Sequence, residues 1–82
     1  MLTRPTELRV FLLRLNVLIN NGAPGRAEAL ISGLLKREPA LRAKVDVLNA
    51  LKQGIELEFA NADGAATVLD FIAKKIREFQ PS

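Results

Sequence analysis

A few places in the chain carry residues that could do chemistry, and each lacks the companion that chemistry needs. A hydroxyl nucleophile requires an adjacent base of suitable pKa. Ser32 sits inside a helical stretch with no elbow motif, and the chain contains neither histidine nor cysteine. Glu56 and Glu58 are two residues apart, so on a helix they point to different sides and cannot form an acid–base pair alone. Asp63-Gly64 suits a turn rather than a calcium loop, because the alternating oxygen ligands that such a loop needs are absent. Gly22-Ala23-Pro24-Gly25 is followed by no Lys-Ser or Lys-Thr at phosphate-loop spacing. The expectation is a protein that is not an enzyme and has no cofactor and no metal.

The elements that carry these residues are helical. Apolar residues Leu8, Phe11, Leu12, Leu15, Leu18 and Ile19 step by three and four, which predicts a first helix over about residues 5–20. Pro5 suits its first turn, and Asn20-Asn21-Gly22 stops it by tolerating the left-handed conformation. Ala27, Leu30, Ile31, Leu34 and Leu35 carry a second helix over about residues 24–37, ended by Pro39. A third, over about residues 40–60, has a main stripe of Leu41, Val45, Leu48, Leu51, Ile55 and Phe59. Its second stripe is Ala43, Val47, Ala50, Gly54 and Leu57, and Gly54 is expected to permit a close helix crossing. Asp63 is the expected N-cap of a fourth helix. That helix ends near Phe79, with Val68, Leu69, Ile72, Ile76 and Phe79 inward. No segment alternates as a half-buried strand does, and short connections favour antiparallel neighbours.

The expected fold is therefore all-α: four antiparallel helices in one domain spanning residues 1–82. A chain of this size buries only about 60–65% of its unfolded surface. Small domains supplement such cores with disulfides, a metal or a partner. Without cysteine or histidine, a protein partner or self-association is the supplement expected here. Met1-Leu2-Thr3-Arg4-Pro5 lacks the apolar core of a secretory leader. Arg9 and Arg14 interrupt the first apolar stretch, so no membrane insertion is expected. The expected compartment is the cytoplasm.

The first two helices resemble a tetratricopeptide repeat, a helical hairpin of about 34 residues. Gly22 falls in its turn, Ala27 and Leu34 in its second helix, and Pro39 at its end. Ala66 takes the small-residue role in a degenerate second copy. The chain departs from the pattern at Arg14, where an apolar residue belongs, and at Pro81, which comes too late. The resemblance implies stacked hairpins that grip a partner's helix or extended segment; a small up-down bundle is the alternative. In size and helix pattern the chain is also similar to the small chaperones of bacterial type III secretion.

Up-down packing would gather the start of helix one, the end of two, the start of three and the end of four. That end would hold Arg4, Arg9, Lys36, Arg37, Arg42, Lys44, Lys74, Lys75 and Arg77, in a chain of net charge +3. Cations at helix C-termini answer the helix dipole, but Arg42 and Lys44 open a helix where anions are preferred. Arg42, Lys44, Lys74 and Lys75 are accordingly the candidate anion-binding residues. Nucleic acid is a weaker candidate partner than protein, since no Trp or Tyr is present for base stacking.

Val10, Leu13, Val17, Val47, Leu57 and Phe71 stand beyond the main core stripes. Four short helices have little interior left for them, so they are the candidate protein-binding residues. The expected role is a non-catalytic adaptor or small chaperone that shields a partner segment in an apolar groove. A nucleic-acid-associated regulator using the basic end is the alternative.

Overall fold

The computed structural model of the chain describes residues 5–80. It contains α1 (Pro5–Asn20), α2 (Pro24–Arg37), α3 (Leu41–Glu58) and α4 (Ala65–Phe79), and no strand among the described residues. The fold is all-α.

Each break has a local cause. At the end of α1, Gly22 adopts φ 72°, its N–H donates to the Ile19 carbonyl, and the Ala23 N–H donates to that of Leu18. Two of the carbonyls that a helix end leaves open are thereby satisfied, in the arrangement that favours glycine. Pro24 then opens α2, where a missing N–H costs nothing. Glu38 and Ala40, on either side of Pro39, are both extended.

That extended link changes the expected neighbours. α2 and α3 do not lie side by side. The principal pairs are α1 with α2, α3 with α4, α1 with α3 and α2 with α4. Two hairpins therefore pack together, with the α2–α3 link crossing a diagonal. The four steps from Arg37 to Leu41 can span about 13 Å when extended, enough to carry the chain across the bundle.

The core comes from one stripe of each helix. Leu15, Ile19, Ile31, Leu48, Leu51, Ile55, Val68 and Ile72 are fully buried. Gly54 sits where α1 crosses α3: a Cβ there would lie 2.5 Å from Cδ1 of Leu12 and 3.2 Å from its Cγ. The crossing expected of this glycine is present.

Three local expectations are corrected. Asp63 does not cap α4; the N-cap is Gly64, at φ 90°, with no side-chain cap bond. The left-handed turn brings Gly64 close to Pro24 and Ile19, joining the starts of α2 and α4 to the end of α1. Leu41 is not in the core but 55% exposed, because the first residue of α3 projects beyond its packed neighbours. Phe59 lies past the helix end, although it still packs against the core.

Candidate functional site

The exposed apolar surface centres on α1. At about 100° per residue, its buried side chains Phe11, Leu12, Leu15 and Ile19 occupy one face. Val10, Leu13 and Val17, spaced by three and four, occupy the opposite one. They are 52%, 49% and 58% exposed. Their direction follows from phase: no rotation of α1 buries both sets against the two helices that touch it.

Beside this stripe, an open groove of 590 Å³ runs between α1 and α2. Val10, Phe11, Leu30 and Leu34 supply its apolar surface, and Ala29 and Gly33 add little side-chain bulk to it. Thr6, Glu7 and Arg37 line one end, and Arg14 and Ala29 the other, as antiparallel helices require. Arg14 and Arg37 are both exposed. Gly33 is a helix-interior glycine, which costs about 1 kcal/mol relative to alanine. A Cβ at that position would meet nothing within 4 Å, so no packing inside the chain accounts for it.

The other candidate protein-binding residues lie elsewhere. Leu57 is on α3 and is 84% exposed. Val47 and Phe71 are partly buried and pack against the core. Val10 alone of the six lines the groove. Leu30, Gly33, Leu34, Arg14 and Arg37 were not singled out as binding residues from the sequence. A signal was available in Ala29 and Gly33, four apart on α2, and in Arg14, the charged departure from the repeat pattern.

The candidate anion-binding residues divide. Arg42 and Lys74 are exposed. The Lys44 ammonium lies 5.0 Å from the centre of the Phe79 ring, joining the start of α3 to the end of α4. Lys75 stands 5.6 Å from the centre of the Phe71 ring, and its Nζ is 3.5 Å from Glu78. Contacts of this kind are worth about 0.5–1 kcal/mol at exposed sites.

Arg9 corrects the two-ended charge pattern. Its guanidinium pairs with Glu58, in the last turn of α3, so the first half of α1 meets the last part of α3. Up-down packing would have put those residues at opposite ends. Lys36, Arg37, Arg42, Lys44, Lys74, Lys75 and Arg77 still share one end, because the end of α2 feeds the start of α3, which meets the end of α4. Arg4 lies outside the described residues.

Ser32 is half-buried on α2, and Glu56 is exposed on α3. No three acidic side chains among the described residues come close enough to hold a metal ion. No helix among them is long and apolar enough to cross a membrane. No family model, no curated protein and no solved structure matches the chain.

Proposed function

We propose that the chain is a non-catalytic protein-binding adaptor or small chaperone that covers an apolar segment of a partner. The observation that carries this reading is the stripe of Val10, Leu13 and Val17 directly opposite the core face of α1. A helix apolar on two sides is a helix packed on two sides, and here one side faces solvent. Continuous exposed apolar surface of this kind marks interaction sites. Leu57, on α3, is a further exposed apolar side chain. The basic end supports the nucleic-acid alternative less well, since Lys44 and Lys75 lie against phenyl rings and Lys75 also meets a carboxylate.

Leu13→Asp tests the proposal. The tagged protein and this variant are purified from the native host, and their helicity is compared by circular dichroism. The expected result is unchanged helicity with loss of a stoichiometric protein partner. Two outcomes defeat it: a variant that unfolds, which would place Leu13 in the core, or identical co-purified material for both proteins.

A further inference from the structure

We infer that the groove between α1 and α2 receives an amphipathic helix of an acidic partner protein, about two turns long, with carboxylates reaching Arg14 and Arg37. The inference rests on the protein-binding reading and names the occupant.

Length comes first. Thr6 and Arg14 mark the two ends of the groove along α1. Eight residues at 1.5 Å each span about 12 Å, or a little over two helical turns.

Shape comes second. Val10, Leu30 and Leu34 offer an apolar strip, while Gly33 leaves its position without a side chain. The space a Cβ would occupy is empty of neighbours from this chain. A ridge of side chains on a partner helix fits such a depression. A strand added by main-chain pairing would need unpaired backbone groups to bond with, and a groove between two helices presents none.

Charge decides between partners. Two guanidiniums flank the groove at opposite ends, against the single carboxylate of Glu7 among its lining residues. A second copy docking through its outer α1 stripe or the last turns of its α4 would bring the wrong sign. The outer stripe of α1 is bordered by Arg9 and Arg14, and the last turns of α4 carry Lys74, Lys75 and Arg77. Complementary charge sets both the choice of partner and its register in such interfaces.

Two labelled synthetic helical peptides test this against the full chain by fluorescence anisotropy. Both share one leucine ridge; one has glutamates beside it and the other lysines. The acidic peptide is expected to bind, and to weaken as salt rises. Arg14→Glu combined with Arg37→Glu should weaken it by about tenfold or more. Gly33→Leu should abolish binding while leaving helicity unchanged, because that position is exposed and has room. Equal affinity for the two peptides, or indifference to Gly33→Leu, would overturn the inference. So would a wild-type dimer in sedimentation that Gly33→Leu dissociates, since the occupant would then be a second copy. If a partner is lost with Leu13→Asp yet the acidic peptide does not bind, the occupant named here is wrong and the protein-binding reading stands.

Discussion

The two faces of α1 are made of the same kinds of residue and meet opposite surroundings. Leu12 and Leu15 are buried against α2 and α3, whereas Leu13, between them in sequence, is half exposed. Composition does not distinguish these leucines; phase does. One residue is a rotation of about 100°, enough to carry a side chain from the edge of the packed face to the far side. The chain therefore devotes apolar residues to a face that adds nothing to its own core.

The largest effect that separates the two faces is in Leu15→Ala against Leu13→Ala. Removing a fully buried leucine side chain costs about 2–5 kcal/mol. A domain of this size has a total stability of only about 4–12 kcal/mol. Leu15→Ala should therefore lose a large share of it in urea unfolding. Leu13→Ala should shift stability by no more than about 0.5 kcal/mol. Comparable losses would mean that the outer face is covered within the chain, and the comparison would fail.

Much of this architecture was legible in the sequence, because the local signals were strong. Asn20-Asn21-Gly22 and Pro24 fixed the first hairpin, and the limits of α1 and α2 fall where periodicity and punctuation put them. The outward direction of Val10, Leu13 and Val17 followed from the same periodicity. What could not be read was how the hairpins meet. The pairing of α1 with α3 depends on an extended link around Pro39 and on contacts between residues more than forty positions apart, such as Leu12 with Gly54. No local pattern encodes these. Asp63 failed as a cap for a related reason: the turn is closed by Gly64, held in place beside Pro24 and Ile19. The groove was missed because its floor is marked by a small side chain, and sequence reading weighs large ones.

Gly33 and Gly54 sharpen the comparison at a smaller scale. In each, alanine recovers about 1 kcal/mol of helix propensity. At Gly54 that gain is opposed by a methyl driven into Leu12, which is itself buried and has little room to turn. Overpacking of this sort costs about 1–3 kcal/mol, so Gly54→Ala should leave the protein less stable. At Gly33 nothing opposes the gain, and Gly33→Ala should raise the urea midpoint. If both alanines stabilise, the α1–α3 crossing is looser than the packing of Leu12 implies. If both destabilise, the groove is occupied within the chain.

The smallest effect concerns the pair that joins the hairpins at the surface. Arg9 and Glu58 are 49 residues apart in sequence, and both are solvent-accessible. Coulomb attraction between exposed charges is weak in water, and ordering two long side chains offsets part of it; such pairs contribute about 0.2–1 kcal/mol. A double-mutant cycle of Arg9→Ala and Glu58→Ala isolates the coupling from whatever else each side chain does. A coupling of about 0.5 kcal/mol is expected at low salt, shrinking as ionic strength rises, because an exposed pair is screened. Zero coupling at low salt would mean that the pair adds nothing to the α1–α3 packing, which then rests on Leu12 against Gly54. A coupling that survives molar salt would require burial of the pair. That would mean the hairpins close more tightly over it than the exposed Leu57, its neighbour in sequence, allows.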